Sequence, residues 1–88
     1  MRKHILFLVP LFSVLDMQRF GEKLRTLRTR HGMTIRDLTR ALGYAGSGYV
    51  SEVETGKRVP TAEFVLKVAR LFDVSADHLL KDELEIDV

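Results

Sequence analysis

Three glycines, Gly32, Gly43 and Gly56, divide the middle of the chain into short segments with helical periodicity. Before Gly32, apolar residues recur three and four positions apart, which places their side chains on one face of an α-helix. Glycine commonly follows the last residue of a helix because it adopts a left-handed backbone without steric cost. Residues 17–80 contain no strand-turn-strand signal. The sequence therefore predicts a compact all-α bundle.

Five helices are predicted from these glycines and from residues that can cap helix starts. The expected helices cover residues 17–31, 35–42, 48–55, 62–72 and 76–80. Hydroxyl side chains precede four of them and can accept the unpaired N–H groups of a first turn. These residues are Thr34, with Asp37 completing a capping box, Ser47, Thr61 and Ser75. The side chains expected to face the core are Phe20, Leu24, Leu27, His31, Ile35, Leu38, Leu42, Val50, Val53, Val65, Val68, Ala69, Phe72, Leu79 and Leu80, with Phe64 or Leu66 alongside.

Charge is unevenly distributed along the 88 residues. Residues 17–60 contain nine Lys or Arg and four acids, whereas residues 61–88 contain three Lys or Arg and seven acids. The basic half favours a surface that meets a polyanion, and solvated helix faces are the alternative interpretation. Cysteine is absent, so hydrophobic packing in a single domain must hold the fold. The absence of cysteine is compatible with the cytoplasmic location that we predict.

Residues 1–16 differ from the rest because two basic residues precede an apolar run over residues 5–15. The run resembles a signal peptide, but no small-residue cleavage site follows, and it is too short to span a bilayer as a helix. Three interpretations stay open: a packing or dimerisation element, a short membrane tether, or an over-long start before Met17. We favour the packing element. The expected organisation is an N-terminal extension over 1–16, a domain over 17–80, and an acidic tail over 81–88 that is a strand or disordered.

The segment from Met33 to Pro60 carries the functional argument. Two helices joined by the turn YAGSG at residues 44–48 can present the second helix to the major groove of DNA. This second helix buries only Val50 and Val53, which leaves its other side chains facing outward. The outward residues are Ser47, Gly48, Tyr49, Ser51 and Glu52. The cations available to hold phosphates are Arg36, Arg40, Lys57 and Arg58.

Over about residues 19–80 the chain resembles the Cro/phage-repressor (XRE-type) helix-turn-helix family. The resemblance rests on FGEKLRTLRTRHGMT, DLTRALG, YVSEVETGKRVP and VLKVARLFDVSADHLL, in that order. It implies a five-helix lambda-repressor-like bundle with the helix-turn-helix at helices 2 and 3, and helix 3 as the recognition helix. The implied base contacts come from Ser47, Gly48, Ser51 and Glu52. The implied phosphate contacts come from Tyr49, Lys57 and Arg58.

Three positions depart from the family pattern. Ile35 stands where the second helix usually begins with a phosphate-contacting Gln, and we expect Arg36 to replace that contact. Thr39 stands where Ala is usual at the close crossing of helices 2 and 3. The segment 43–54 is one residue longer than usual, which shifts the start of helix 3. Glu52 has two interpretations: it accepts a hydrogen bond from cytosine N4, or it pairs with a nearby Arg and limits non-specific binding.

The expected function is a sequence-specific transcriptional regulator that binds double-stranded DNA as a homodimer on a palindromic operator. The alternative is an antitoxin-like or adaptor protein that mainly binds a protein partner, such as a toxin or another regulator. The apolar residues 5–15 favour this alternative. No enzyme, cofactor, metal or small-molecule ligand is expected, and membrane association is the least favoured interpretation. The scattered histidines, which lack metal-ligand spacing, are His4, His31 and His78.

Overall fold

A computed structural model describes residues 17–86 of the chain. These residues form α1 (Phe20–Arg30), α2 (Ile35–Ala41), α3 (Gly48–Glu54), α4 (Ala62–Phe72) and α5 (Ala76–Leu80), with no strand among them. The predicted all-α fold class is confirmed. Helix α1 begins three residues later than predicted, since Met17 has a φ of 74° and the chain turns before Phe20. The predictions for residues 1–16 lie outside the described residues. None of the five helices is long and apolar enough to cross a membrane.

The helix ends follow the local signals in the sequence. The glycines after the first three helices all have positive φ, as predicted for Gly32, Gly43 and Gly56. Three of the four predicted N-cap hydroxyls accept a backbone N–H of the first turn, namely those of Thr34, Thr61 and Ser75. Asp73 has a φ of 55° and ends α4 without a glycine. Short-range chemistry therefore accounts for most of the helix boundaries.

The core lies where α1 packs against α3 and α5, while α2 contacts α3 and α4 contacts α5. Its fully buried apolar side chains are Phe20, Leu24, Leu27, Leu38, Leu42, Val50, Val53, Phe64, Val65, Val68, Phe72 and Leu79. Phe64, not Leu66, is the inward residue of α4, since Leu66 is 49% exposed. Ile35, Ala69 and Leu80 are only partly buried. His31 is exposed rather than inward, although its ring lies 4.8 Å from that of Phe72.

Helix α1 lies against the backbone of α3 at Gly21. A Cβ atom on Gly21 would lie 2.5 Å from the backbone oxygens of both Val53 and Glu54. These oxygens belong to the last turn of α3 and cannot move without moving the helix. Only glycine therefore allows the two helices to pack at this distance.

Lys23 is buried, although lysine is among the residue types that are almost never fully buried unless paired. Its side chain is 2% exposed, and its Nζ donates to the carbonyl oxygens of His78 and Lys81, each at 2.6 Å. These carbonyls lie at the end of α5, where a helix leaves C=O groups without intrahelical partners. Burial lowers the pKa of Lys23, and the nearby charge of Arg19 acts in the same direction. Lys23 therefore joins α1 to α5.

The acidic residues after α5 pack against the start of α1. Residues 81–84 form a turn, and residues 81–86 contain no strand, which was one prediction for this segment. Asp82 accepts hydrogen bonds from the backbone N–H groups of Gln18 (3.2 Å) and Arg19 (3.0 Å). The guanidinium of Arg19 donates to both carboxylate oxygens of Glu85, at 2.9 and 3.0 Å. This pairing raises the pKa of Arg19 and lowers that of Glu85. Asp82 thus caps α1 from 63 positions away.

We expect Gly21→Ala to lower the free energy of unfolding by at least about 2 kcal/mol, because the added methyl group meets rigid backbone atoms. The matched control is Gly46→Ala, since a Cβ at Gly46 meets nothing within 4 Å and its φ is not positive. The control should change stability by less than about 1 kcal/mol. Urea unfolding followed by helical circular dichroism measures both. Equal losses in the two variants would contradict the close packing of α1 on α3.

Lys23→Met tests the tie between α1 and α5. The methionine retains the apolar stem but leaves two carbonyl oxygens without a donor, so we expect a loss of about 1–3 kcal/mol in the free energy of unfolding. The control is Lys57→Met at an exposed position, where a change within about 0.5 kcal/mol is expected. Chemical denaturation of both variants provides the comparison. A Lys23→Met variant as stable as the control would show that the buried ammonium adds nothing.

Candidate nucleic-acid interface

Helix α2 begins with a complete capping box. The backbone N–H of Asp37 donates to Oγ1 of Thr34, and the backbone N–H of Thr34 donates to Oδ2 of Asp37, both at 3.0 Å. The hydrogen bond from the Thr34 backbone lowers the pKa of Asp37, so the carboxylate is ionised at neutral pH. The box fixes the start of α2 and therefore the positions of Arg36 and Arg40. Both arginines are exposed.

The turn between α2 and α3 is anchored at both ends. The backbone N–H of Tyr44 donates to the carbonyl oxygen of Thr39 at 3.0 Å, which reverses the chain after α2. Thr39, one of the departures from the family pattern, is buried, but its hydroxyl donates to the carbonyl of Ile35 at 2.8 Å. The ring of Tyr44 lies 5.6 Å from that of Tyr49 and 5.7 Å from that of Phe64. The long turn is therefore held by aromatic packing.

Helix α3 has one apolar side and one polar side. Val50 and Val53 are fully buried against the core, while Gly48 and Ser51 are exposed. Thr55, which sequence reasoning did not select, is exposed on the same side, and its spacing of four from Ser51 was the available signal. Its hydroxyl hydrogen-bonds to carbonyls of its own helix.

The predicted cap at Ser47 is wrong. Ser47 precedes α3 as expected, but its backbone is helical (φ −83°, ψ −6°), and its side chain makes no capping hydrogen bond. A capping hydroxyl reaches the first-turn N–H groups from an extended backbone, which this residue lacks. Within residues 17–86 the half-buried Ser47 hydroxyl has no hydrogen-bond partner, so it can meet a ligand.

The loop after α3 turns back because of Gly56. With a φ of 81°, Gly56 donates its N–H to Val53 O at 3.1 Å, and Lys57 donates to Glu52 O at 2.8 Å. This pair of bonds is a Schellman motif, in which a residue with left-handed backbone closes a helix. The reversal brings Arg58 beside the polar side of α3, while Lys57 is exposed.

Tyr49, Glu52 and Arg58 form one cluster on this surface. Arg58 Nε donates to Glu52 Oε1 at 2.7 Å, and the guanidinium carbon lies 5.6 Å from the centre of the Tyr49 ring. The Tyr49 hydroxyl accepts the backbone N–H of Thr61 at 3.1 Å, and its ring packs edge-on against Phe64 at 5.1 Å. Tyr49 therefore joins α3 to the start of α4 and supports Arg58.

A nearly buried ion pair, which sequence reasoning missed, fixes the end of α3. Arg28 of α1 donates from Nε and Nη2 to the two carboxylate oxygens of Glu54, at 2.6 and 3.2 Å. Only 13% of the Arg28 side chain and 5% of the Glu54 side chain are exposed. Arg28 also donates to Met33 O at 2.8 Å, which ties the start of the α2 segment to the same point. One guanidinium thus positions the two helices that carry the candidate interface.

All nine residues predicted for the interface reach the surface, and none is buried. Those exposed are Arg36, Arg40, Gly48, Ser51, Lys57 and Arg58, and those partly exposed are Ser47, Tyr49 and Glu52. Their contacts with DNA stay predictions. Among residues 17–86 no group of His, Asp and Glu could hold a metal ion. His78 instead contacts Ser75 Oγ through Nδ1 at 2.6 Å.

Comparisons with known proteins agree with this geometry. A family model described as "Helix-turn-helix domain" matches residues 19–81. The uncharacterized HTH-type transcriptional regulator YobD of Bacillus subtilis is 37% identical over 61 residues, which are 69% of this chain but only 54% of YobD. The restriction-modification controller protein C.AhdI of Aeromonas hydrophila superposes with a TM-score of 0.64 at 33% identity, over 73% of this chain and 96% of C.AhdI. The N-terminal DNA-binding domain of SinR from B. subtilis superposes with a TM-score of 0.69 at 28% identity, over 77% of this chain and 99% of the SinR domain.

The Arg28–Glu54 pair predicts an asymmetry between single and double variants. Arg28→Met leaves the Glu54 carboxylate buried without a cation, so we expect a loss of about 3 kcal/mol in the free energy of unfolding. Adding Glu54→Met removes the unpaired charge and should recover part of that loss. Denaturant unfolding of the wild type, Arg28→Met, Glu54→Met and the double variant gives the coupling free energy between the two side chains. A double variant less stable than Arg28→Met would contradict this account.

Proposed function

Because this chain belongs to the Cro/phage-repressor (XRE-type) helix-turn-helix family, we propose that it is a sequence-specific DNA-binding transcriptional regulator. The curated relatives that it matches are HTH-type transcriptional regulators. The observation that carries the proposal is the exposed polar side of α3, with exposed cations on the helix before it and in the loop after it. The major groove, about 12 Å wide, admits one such helix. We therefore infer that α3 docks in that groove.

We propose two sets of contacts for this docking. Ser47, Gly48, Ser51 and Glu52 face base edges from the polar side of α3. Phosphates are held by Arg36, Arg40, Lys57 and Arg58, with Tyr49 beside them. The exposure of these residues supports the assignment. The two sets are separated because, in DNA recognition, phosphate contacts position the protein and base contacts determine its specificity. Arg36 takes the place of the phosphate contact that a Gln at Ile35 would supply.

We further propose that two copies bind a palindromic operator. One seven-residue helix makes few base contacts, so a second half-site is needed for high specificity. The dimer surface that we propose involves α5, the tail or the apolar residues 5–15. Leu66 and Leu71 of α4 add a candidate, since they are 49% and 40% exposed. A cytoplasmic location follows from this function.

A protein partner is the second candidate function. Besides the apolar residues 5–15, the exposed side chains of Leu66, Leu71 and Val59 favour it, because apolar side chains at a surface are suited to contact with another protein. Such a partner, a toxin or another regulator, is compatible with DNA binding through α3. Co-purification of a partner chain, together with DNA binding that Lys57→Ala and Arg58→Ala leave unchanged, would replace the first proposal by this one.

Selection of bound duplexes from a random pool tests the function directly. We expect one enriched sequence with two-fold symmetry and half-sites about one helical turn apart. The selected duplex should bind more tightly than an unrelated duplex at physiological salt, and binding should weaken steeply as salt rises. Equal and weak binding to every duplex would exclude sequence-specific recognition. An enriched sequence without symmetry would retain the function but exclude the homodimer.

Two substitutions separate the proposed roles. Arg40→Gln should weaken binding to all duplexes and reduce the slope of log Kobs against log salt by about 0.9, because one phosphate contact is lost. Ser51→Ala should instead change which sequences are selected. The matched control is Arg70→Gln, an exposed cation of α4 outside the candidate interface, which should change neither property. A salt slope that Arg40→Gln leaves intact, or an unchanged selection profile for Ser51→Ala, would count against the corresponding role.

A further inference from the structure

Arg58 occupies a defined resting place on the protein before any DNA is bound. Its Nε lies 2.7 Å from Glu52 Oε1, and its guanidinium carbon lies 5.6 Å from the centre of the Tyr49 ring. The side chains of Arg58 and Glu52 are 55% and 44% exposed, so either can leave the pair without opening the core. Arg58 is therefore a cation whose charge is already partly compensated when the protein meets a duplex.

The fold determines this resting place. Tyr49 and Glu52 are three residues apart on α3 and lie on one side of the helix. Tyr49 is held by the backbone N–H of Thr61 and by the edge-on contact with Phe64. The Schellman turn at Gly56 then returns the chain so that Arg58 reaches both side chains. No comparable restraint acts on Arg40, which makes no ion pair with any residue in the described range 17–86.

The two members of this pair have different alternatives on DNA. Arg58 can exchange the Glu52 carboxylate for a phosphate oxygen, which makes a charge-assisted bond of the same kind. Glu52 cannot accept from phosphate, and as an unpaired carboxylate it would be repelled by the duplex. Its favourable alternative in the major groove is the N4 amino group of a cytosine, which donates a hydrogen bond. Transfer of Arg58 from Glu52 to a phosphate is therefore favourable only where a cytosine amino group replaces the guanidinium as the donor to the Glu52 carboxylate.

Resting on the proposed function, we propose that Glu52 is a specificity-determining residue that releases Arg58 to phosphate on duplexes presenting a cytosine amino group. On other duplexes Arg58 stays paired with Glu52. The protein then gains one phosphate contact on its operator that it lacks elsewhere. Base readout and phosphate binding are coupled through a single ion pair, and non-specific binding is weakened.

The test compares four proteins on two duplexes: the wild type, Glu52→Gln, Arg58→Gln and the double variant. One duplex comes from the selection experiment, and the other is unrelated and lacks cytosine at the selected positions. In the Glu52-containing protein, Arg58→Gln should reduce the salt slope by about 0.9 on the selected duplex and leave it nearly unchanged on the unrelated one. In the Glu52→Gln background, Arg58→Gln should reduce the slope on both duplexes.

Affinity gives a second readout. Glu52→Gln should tighten binding to the unrelated duplex about two- to five-fold, the range that an exposed ion pair supports, and the double variant should lose this gain. The control Arg40→Gln should lower the slope on both duplexes in either background. An equal effect of Arg58→Gln on both duplexes in the wild type would overturn the inference, as would a gain that persists in the double variant. Failure of the wild type to bind any duplex would instead overturn the proposed function.

Discussion

The close contact between α1 and the last turn of α3 is the constraint on which the rest of the structure depends. It combines a steric condition, met by Gly21, with an electrostatic one, met by the Arg28–Glu54 pair. A buried ion pair contributes little net stability because desolvation offsets the attraction, but it tolerates few geometries. The contact therefore determines the direction of α3 more than it strengthens the fold. Everything that α3 presents to a partner follows from that direction.

Helix α3 illustrates how stability and recognition are separated in so small a domain. A seven-residue helix is not stable alone, since helices of this length do not offset their nucleation cost. Its stability comes from Val50 and Val53 in the core and from the closed turn at Gly56. The polar side, with Gly48, Ser51 and Thr55, contributes almost nothing to folding. Those positions can therefore change without disturbing the core contacts of α3.

The sequence predicted the features that depend on neighbouring residues. Helix ends, the Thr34 capping box and the inward spacing of α3 all follow from short-range chemistry. Asp82 could not be recognised as the cap of α1, because its partners lie more than 60 positions earlier in the chain. Lys23 could have been recognised in part, since it lies three residues after Phe20 and four before Leu27, within the apolar stripe. A charge at such a position indicates a distant acceptor, which periodicity alone does not identify.

The ion pairs within the protein determine which cations of residues 17–60 stay unpaired and could bind DNA phosphates. Arg28 is held by Glu54 in a nearly buried contact, and Arg19 pairs with Glu22 and Glu85 at the surface, so both charges are already compensated within the protein. Within residues 17–86 the candidate interface retains Arg36, Arg40 and Lys57 without ion pairs, and Arg58 with one. In the proposed complex, three such cations would neutralise only a few phosphates per copy at physiological salt. Under the proposed function, a domain with so few unpaired cations would depend on base contacts and on a second half-site, more than on its total charge, to distinguish an operator from other DNA.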